Sequence, residues 1–418
     1  MIIPRSYYLN QLISAQNTDM IKIITGIRRC GKSFLLFKLF HTYLTENGVD
    51  NSHIIEVALD DRMNITLRNP DNLLNHIYNK VTDNQRYYVL LDEIQLVEDF
   101  VGVLNSLLHA SNLQVYVTGS NSRFLSKDVI TEFRGRGQEI HLFPLSFSEY
   151  YNAVGGDKSD RWREYYTFGG LPQILSIDEY NQKVGYLENL ASTVFLRDVV
   201  ERNAVKGEEE LTELLRILAS SIGAPCNPSK LSNTFKSVKN VSISPITIAN
   251  FLGYFEDAFL VEKSIRYNIK GKKYINTLAK YYFTDIGLRN ALLDFRQIEE
   301  THLMENIIYN ELKMRGFSVD VGCVEATIRT EEGLQKRVQY EVDFVANKGS
   351  QRYYIQSALS LPDEAKVQQE TKSFRAIGDG FKKVIVVGSN IMPHRNTDGY
   401  LLIGIYDFLL NPETLITG

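Results

Sequence analysis

The residues with the clearest chemical potential are eight consecutive ones near the start of the chain. They read Gly26-Ile27-Arg28-Arg29-Cys30-Gly31-Lys32-Ser33, which fits GxxxxGK[ST], and they lie between a strand-like run, IKIIT, and a helix-like run, FLLFKLFHTYL. Glycines let backbone N–H groups close around phosphate oxygens, and a helix N-terminus adds its dipole. Lys32 would reach the outer phosphates and Ser33 would ligate Mg²⁺. The segment therefore predicts a phosphate-binding loop.

A second run is an apolar strand that ends in two carboxylates, Tyr88-Val89-Leu90-Leu91-Asp92-Glu93. In an enzyme with a phosphate loop, the first acid holds Mg²⁺ and the second polarises the attacking water. We therefore predict Ser33 and Asp92 as metal ligands, and Lys32 and Glu93 as catalytic residues. The predicted nucleotide-binding residues are Gly26, Ile27, Arg28, Arg29, Cys30, Gly31, Lys32, Ser33, Phe34 and Asp92.

Two further polar segments are candidates for the same site. The run VTGSN (117–121) ends the next predicted strand, which places it between the phosphate loop and the acids if the sheet is doubly wound. Asn121 or Ser120 would position the attacking water, unless these residues only build a turn. Arg136, with Arg134 as second choice, would reach a phosphate in a neighbouring subunit from a glycine-flanked loop. The alternative is an ordinary surface arginine.

Cys30 raises a separate hypothesis. It lies inside the predicted phosphate loop beside Lys32 and close to a helix N-terminus, an environment that favours the thiolate over the thiol. Oxidation or alkylation of Cys30 would then block nucleotide binding. The alternative is a small residue that simply fits the loop.

The composition is that of an ordinary globular protein. The chain has 418 residues, 44% hydrophobic and 23% charged, with a formal charge of −4; these values exclude a disordered or fibrous protein and give no global attraction to a polyanion. Three cysteines without CxxC spacing and seven scattered histidines predict neither a disulfide framework nor a zinc site. Without a signal-peptide pattern or a run of 18 apolar residues, we expect a cytoplasmic protein with no membrane span.

Short apolar runs alternate with helical patterns over about the first 145 residues, which predicts an α/β domain with a parallel sheet covered by helices. The predicted strands are IKIIT (21–25), HIIEVAL (53–59), YYVLLDE (87–93), LQVYVTG (113–119) and EIHLFPL (139–145). A helical part, 146–205, completes a first domain of residues 1–205. In 206–300, helices precede a β-hairpin turned at Lys270-Gly271-Lys272, the order of a winged helix. Residues 301–418 are predicted to be a third, mixed α/β domain.

Positive charge is concentrated on the predicted hairpin. No acidic residue interrupts 263–280, and tyrosines are interleaved with its basic residues. This pattern suits contacts to nucleic-acid phosphates, whereas the alternative is that the lysines only protect a hairpin edge from aggregation. The preceding helix, SPITIANFLGYFEDAFLV, carries no Arg or Lys, so we expect no base-specific recognition. The predicted nucleic-acid-binding residues are Lys263, Arg266, Lys270, Lys272, Lys273 and Lys280.

A series of short motifs follows in a fixed order along the chain: GIRRCGKS, LLDEIQ, TGSNS, GR followed by PLSFSEY, FGGLP and RDVVERN. YFTDIGL (282–288), MEN (304–306) and EVDF (341–344) continue the series through the C-terminal third. In this order the motifs resemble those of a large prokaryotic family of AAA-type P-loop ATPases that carry a C-terminal domain of unknown function. The resemblance covers nearly the whole chain.

This resemblance implies a P-loop NTPase core of AAA type, a winged-helix segment and a C-terminal restriction-endonuclease-like fold. It implies that ATP, rather than GTP, and Mg²⁺ bind at Gly31, Lys32, Ser33, Asp92 and Glu93.

Four residues bear on whether the C-terminal domain cuts nucleic acid. A metal-dependent nuclease of this fold needs an acid on one strand, a second acid on the next and a lysine two residues on. Glu305 and Asp343 are candidate acids, but Gln356 and Ala358 stand where the next acid and the lysine belong. We therefore expect a nuclease-like fold that does not cut.

Two classes of function remain open. In the first, the protein is a homo-oligomeric, DNA-associated ATPase that binds DNA without sequence preference. In the second, it is a nucleotide-dependent protein-interaction switch for which DNA is irrelevant. A displaced nuclease site that uses Lys366 or Lys372 is a further alternative for the C-terminal domain.

Overall fold

The computed structural model describes residues 2–120, 135–239, 241–329 and 334–417. Two compact units make up the chain, the first from Met1–Pro144 with Asp257–Phe259 and the second from Leu145–Glu256 with Leu260–Gly418. The main segment of the first unit ends at Pro144. No helix within the described ranges has both the length and the apolar character needed to cross a membrane.

The first unit is built on a five-stranded parallel sheet. Its strands are β1 (Ile21–Thr25), β2 (Ile54–Ala58), β3 (Tyr87–Asp92), β4 (Leu113–Thr118) and β5 (Gly137–His141). They follow the order β2-β3-β4-β1-β5. Every residue of β1, β3 and β4 is buried, as expected where helices cover both faces of a sheet. The five predicted strands are confirmed, with ends shifted by at most a few residues.

Helices of the first unit precede and connect these strands. They are α1 (Ser6–Ser14), α2 (Lys32–Phe34), a π-helical stretch (Leu35–Phe40), α3 (His41–Glu46), α4 (Pro70–Lys80) and α5 (Phe100–Leu107). Short 3₁₀ turns cover Ala15–Asn17, Asn51–His53, Arg62–Arg68 and Ile94–Leu96. Because β4 lies between β1 and β3, the ends of these three strands meet at one edge of the sheet.

An eight-stranded mixed sheet forms the second unit. Its strands are β6 (Val261–Asn268), β7 (Lys273–Phe283), β8 (Ser318–Arg329), β9 (Gln335–Lys348), β10 (Gln351–Ala358), β11 (Lys382–Val387), β12 (His394–Arg395) and β13 (Leu401–Gly404). They follow the order β12-β13-β11-β10-β9-β8-β6-β7. The pairs β6–β8, β10–β11 and β11–β13 are parallel, and the others are antiparallel.

Helices of the second unit precede, interrupt and follow this sheet. They are α6 (Phe147–Val154), α7 (Lys158–Phe168), α8 (Tyr180–Asn189), a π-helical stretch (Leu190–Leu196), α9 (Arg197–Asn203), α10 (Glu208–Ser220), α11 (Pro228–Lys239), α12 (Pro245–Asp257), α13 (Ile286–Leu292), α14 (Glu300–Met314), α15 (Glu364–Glu370), α16 (Lys372–Arg375), α17 (Ile405–Leu410) and α18 (Thr414–Thr417). A 3₁₀ turn covers Pro172–Ser176. The SFSE motif caps α6, since the Ser146 hydroxyl and Glu149 carboxylate each accept a backbone N–H of the other residue.

The helical segment 146–205 lies in the second unit rather than in the predicted domain 1–205. Hydrogen bonds across the FGGLP motif explain the difference. Buried Asp285 accepts the Gly170 N–H at 2.8 Å, and the Asn290 amide donates to the carbonyls of Tyr166 and Thr167, each at 2.9 Å. A Cβ on Gly170 would lie 2.2 Å from the Leu145 carbonyl oxygen, so this close approach of backbones requires glycine.

The hairpin β6–β7 differs from the predicted wing in one respect. Helices were expected before it, and α10, α11 and α12 precede it, but β6 also pairs in parallel with β8, matching Arg266 to Val321 and Asn268 to Cys323. The hairpin therefore supplies two strands of the eight-stranded sheet. The predicted boundary between residues 300 and 301 consequently falls inside one compact unit.

Candidate active site

The phosphate-loop motif connects β1 to α2 at the carboxyl ends of the strands of the first sheet. Gly26, Arg29 and Gly31 have φ values of 139°, 64° and 104°, respectively. A Cβ on Gly26 would lie 2.1 Å from the Leu142 carbonyl oxygen, so only glycine fits there. Arg29 is a non-glycine residue in the left-handed region, and such backbone conformations are concentrated at functional sites.

The Lys32 side chain is buried within this loop, with 4% of its surface exposed. Its ammonium donates to the carbonyl oxygens of Gly26 at 2.9 Å and Ile27 at 3.1 Å. Burial of a cation requires such partners. Phosphate oxygens could take over these hydrogen bonds, which is the role predicted for Lys32.

Thr118, at the end of β4, joins the two predicted acids. Its hydroxyl donates to an Asp92 carboxylate oxygen at 2.5 Å and accepts the Glu93 backbone N–H at 2.9 Å. Asp92 is 3% exposed, and burial raises the pKa of its carboxyl group, although hydrogen bonds from Thr118 and Ser33 oppose that shift. No role was predicted for Thr118 from the sequence, although its place in VTGSN was a usable signal.

Glu93 follows the strand with a left-handed φ of 53°. Its carboxylate accepts hydrogen bonds from the Ser120 hydroxyl at 3.2 Å and from the Gln95 side-chain amide. Ser120 therefore contacts the predicted catalytic acid, as the strand order anticipated. Gln95 was not predicted, although it belongs to the quoted LLDEIQ motif.

Ser33 and Asp92 fit the requirements of a Mg²⁺ site. Both provide oxygen ligands, which Mg²⁺ prefers, and Ser33 is near enough to Asp92 to lower the pKa of its carboxyl group. Burial raises the pKa of Asp92. A bound cation would lower this pKa, because a nearby positive charge favours the ionised carboxylate. Among the residues that the structure describes, no three His, Cys, Asp or Glu side chains are grouped to hold a metal ion, so a cation here would complete its coordination with phosphate or water.

The remaining predicted residues of this site have different outcomes. Asn121 and Arg134 lie outside the described residues. Arg136 is exposed and precedes β5 directly, and its carbonyl accepts the Ile21 N–H at 2.8 Å. Its side chain is thus available to a neighbouring molecule, while its backbone belongs to the sheet. Ser33 and Phe34 are exposed at the start of the helix.

The thiolate hypothesis for Cys30 is wrong. Cys30 is fully buried, and burial raises the pKa of its thiol, although Lys32 and Arg5 act in the opposite direction. Proximity to positive charge does not compensate for the loss of water around an anion. The Sγ atom lies 3.2 Å from the position that a Cβ on Gly26 would occupy, which supports the alternative that a small side chain simply fits the loop.

The prediction that Lys280 contacts nucleic acid is also wrong. Only 4% of its surface is exposed, and its ammonium pairs with Glu305 at 3.0 Å and Glu341 at 2.8 Å. Burial alone would lower the pKa of Lys280, but the charges of Glu305, Asp343 and Glu341 raise it. Glu305 also accepts the Tyr282 hydroxyl at 2.8 Å. We call Lys280, Tyr282, Glu305, Glu341 and Asp343 the ionic cluster, in which Lys280 is buried and the Glu341 side chain is 34% exposed.

The other basic residues of the hairpin are not held in this way. Lys263, Lys270, Lys272 and Lys273 are exposed. Lys270 donates to the Glu325 carbonyl at 2.7 Å, and half-buried Arg266 donates to the Gln339 side chain at 3.0 Å. The positive surface is therefore smaller than predicted and borders the β8–β9 hairpin.

The lysine next to the nuclease-like acids comes from an unexpected place. Lys366, one of the two downstream candidates, pairs with Glu370 at 2.7 Å, one turn further along α15. Lys280 on β7 instead contacts Glu305 on α14. Its ammonium lies between the carboxylates of Glu305 and Glu341.

We expect the stability of the second unit to depend on pH through Asp343. Burial, and then the charge of Glu305, raises its pKa to about 8, although Lys280 opposes this shift. In the unfolded chain the pKa of an Asp is about 3.9. At pH values between this pKa and the folded pKa, unfolding therefore releases a proton from Asp343. By linkage, stability falls as the pH rises through this window. We expect Asp343→Asn to remove much of this decline, measured as the melting temperature between about pH 5 and pH 9; the same slope in both proteins would contradict it.

Comparison with known proteins shows the class of this fold. Residues 18–151 match the family described as AAA domain, and residues 159–299 match a Domain of unknown function (DUF8612). The parallel sheet, the phosphate loop and the paired acids thus define an AAA-type P-loop ATPase fold, which confirms the predicted core.

Two relatives extend the likeness over most of the chain. An uncharacterised protein of Haemophilus influenzae is 34% identical over 415 residues, covering 98% of this chain and 99% of that protein. The chain belongs to the family of this Haemophilus protein. An uncharacterised protein of Methanocaldococcus jannaschii is 29% identical over 386 residues, covering 86% of this chain and 79% of that protein.

Among solved structures, the Aeropyrum pernix Orc1 protein in complex with DNA matches 70% of this chain and 92% of that chain. The identity is 12% and the TM-score is 0.29. A likeness at this level carries no argument about function.

Proposed function

We propose that the protein hydrolyses ATP with Mg²⁺ at the edge of the first sheet. The observation that carries this proposal is the Thr118 hydroxyl, which donates to Asp92 and accepts the Glu93 N–H. This bridge gives the two adjacent acids separate surroundings: Asp92 lies beside Ser33, whereas Glu93 is hydrogen-bonded by Gln95 and Ser120. The preference for adenine rests on the family resemblance.

Each residue has a defined part in the proposed reaction. The loop N–H groups and Lys32 would bind the phosphates, and Ser33 and Asp92 would hold Mg²⁺, which neutralises developing charge on the phosphoryl group. Glu93 would orient and polarise the attacking water. Ser120 and Gln95 hold the Glu93 carboxylate in place.

Purified protein provides the direct test. We expect phosphate release from ATP that requires Mg²⁺, stops with EDTA and is slower with GTP. If the protein binds nucleotide but releases no phosphate at any protein concentration, the proposed hydrolysis is wrong and the protein is a nucleotide-binding switch. No nucleotide binding at all would overturn the proposal.

We propose further that the active form is a homo-oligomer in which Arg136 completes the site of a neighbour. The exposed position of Arg136 beside β5 supports this proposal. Arg136→Ala and Glu93→Gln should each be nearly inactive alone, and they should partly restore activity when mixed, because one interface then pairs an intact Glu93 with an intact Arg136. A monomer in light scattering, with activity per molecule independent of concentration, would exclude the arrangement.

The second unit is proposed to bind DNA without sequence preference through the exposed part of the hairpin. Exchanging Lys270, Lys272 and Lys273 for Gln should weaken binding to random duplex, and the slope of log affinity against log salt should fall by about one per lost phosphate contact. A matched control exchanges the exposed residues Lys38, Lys80 and Lys158, which changes the net charge equally. Equal weakening in both triple variants would assign the effect to overall charge, and no binding by the wild type would favour the protein-interaction alternative.

We also propose that the second unit contains a winged-helix segment and does not cut DNA, and that the protein acts in the cytoplasm. The three helices before the hairpin support the first point. Lys280 among the acids supports the second. Incubation with supercoiled and linear DNA in Mg²⁺ or Mn²⁺ tests cutting, and cleavage that disappears in Asp343→Ala would contradict it.

A further inference from the structure

Arg5, just before α1, is a buried arginine at the phosphate loop. It is 5% exposed and has a left-handed backbone with φ 44° and ψ 40°. One guanidinium nitrogen donates to the Cys30 carbonyl at 3.3 Å, and another donates to the Phe143 carbonyl at 2.6 Å. Arg5 thus joins the loop after β1 to the segment after β5.

The position of this guanidinium is fixed by its surroundings. It lies over the Tyr8 ring, 4.8 Å from the ring centre, and the Tyr8 hydroxyl accepts the Phe143 N–H at 3.3 Å. The Arg5 carbonyl accepts the N–H groups of Tyr8 and Leu9, each at 3.0 Å, at the start of α1. A left-handed backbone at a non-glycine residue is strained and persists only where such contacts determine it.

The carbonyl that Arg5 contacts belongs to the peptide group between Cys30 and Gly31. A trans peptide is planar, and its C=O and N–H point in opposite directions. Holding the Cys30 carbonyl therefore orients the Gly31 N–H, which faces away from Arg5. A charged donor at a carbonyl also strengthens the hydrogen bond that the same peptide donates.

We propose that Arg5 is a positioning residue for the phosphate loop, one that fixes the Cys30–Gly31 peptide so that its N–H is directed at the nucleotide phosphates. This inference rests on the proposed nucleotide site. Arg5 acts through the loop and not on the reacting atoms, so its effect falls on binding and not on the chemical step.

The test is Arg5→Gln, with affinity measured by titration of a fluorescent ADP and by competition with ATP. We expect both affinities to fall by the same factor, roughly tenfold, as for one charge-assisted hydrogen bond. At saturating ATP, kcat should stay within about twofold of the wild-type value. A variant that folds and binds both nucleotides like the wild type would overturn the proposal, as would a loss of kcat at unchanged affinity.

Two controls separate positioning from a general loss of structure. Tyr8→Phe keeps the ring under Arg5 and removes only the hydroxyl that accepts the Phe143 N–H. Nucleotide affinity should therefore change by less than about threefold, which is about half of the free-energy change expected for Arg5→Gln. Arg86→Gln removes an exposed arginine that contacts Asn17 and should leave nucleotide affinity unchanged. Loss of affinity in either control equal to that in Arg5→Gln would overturn the proposal.

Arg5→Lys decides the case if Arg5→Gln does not fold. One ammonium replaces two separate donor nitrogens, so affinity should fall by an intermediate factor, and wild-type affinity would overturn the proposal. A wild-type protein that binds ADP but does not hydrolyse ATP would refute the proposed function while leaving this inference testable by binding alone.

Discussion

Lys32→Ala will abolish tight binding of ATP, whereas Glu93→Gln will bind ATP and fail to turn it over. The buried Lys32 ammonium is held by two loop carbonyls, and its removal leaves the phosphate charge without its main partner. Glu93→Gln retains the size and hydrogen bonding of the side chain and loses only the basic carboxylate. We expect kcat to fall by roughly 10²–10⁴-fold, the usual contribution of a general base.

Two exposed neighbours provide matched controls for this pair. The controls are Lys38→Ala and Glu98→Gln. Lys38 lies on the helical segment that begins at Lys32, Glu98 lies shortly after β3, and both residues are exposed. Neither change should affect binding or turnover by more than about twofold, since surface substitutions of this kind are nearly neutral. Equal loss of ATP binding in Lys32→Ala and Glu93→Gln would show that Glu93 supports the fold of the loop, and its catalytic assignment would then fail.

Lys280→Met will destabilise the second unit by about 3–5 kcal/mol, the usual result of removing one partner from a buried ion pair. The variant has a side chain of similar length but no charge, so Glu305 and Glu341 lose the ammonium that now lies about 3 Å from both. Denaturant unfolding, followed through the transition of the second unit, measures the loss.

Lys273→Met is the control for this experiment, because Lys273 is exposed on the same strand β7. The free energy of unfolding of the Lys273→Met variant should differ from that of the wild type by less than about 0.5 kcal/mol. Adding Glu305→Gln to Lys280→Met should restore part of the loss, because the double variant buries one negative charge fewer. If Lys280→Met costs no more than Lys273→Met, the ionic cluster contributes nothing to stability.

The arrangement of the candidate phosphate loop and the two acids was predictable because each segment is contiguous in sequence and follows the same simple pattern. The loop from Gly26 to Ser33 and the pair Asp92–Glu93 each follow an apolar strand, and a parallel sheet brings such strand ends together. Even the place of Ser120 beside Glu93 follows from β4 lying between β1 and β3.

Lys280 and Arg5 were not predictable in this way, because their roles depend on contacts between distant parts of the chain. In the sequence, Lys280 belongs to a run of basic residues on a hairpin, and nothing nearby shows that Glu305 and Glu341 enclose it. Arg5 is 25 residues from Cys30 and 138 from Phe143, and no motif includes it. A charge pattern alone does not distinguish a solvated cation from one that is buried between acids.

The pairing of β6 with β8 has a consequence for the nascent chain. About 50 residues separate the end of β6 from the start of β8, so at about 5–20 residues per second the ribosome makes β6 several seconds before its neighbour. During that interval β6 has an unpaired edge, which is a template for association with other chains. Charged side chains oppose such association, and we therefore expect Lys270, Lys272 and Lys273 to keep the unfinished protein soluble, whether or not they bind DNA in the finished one.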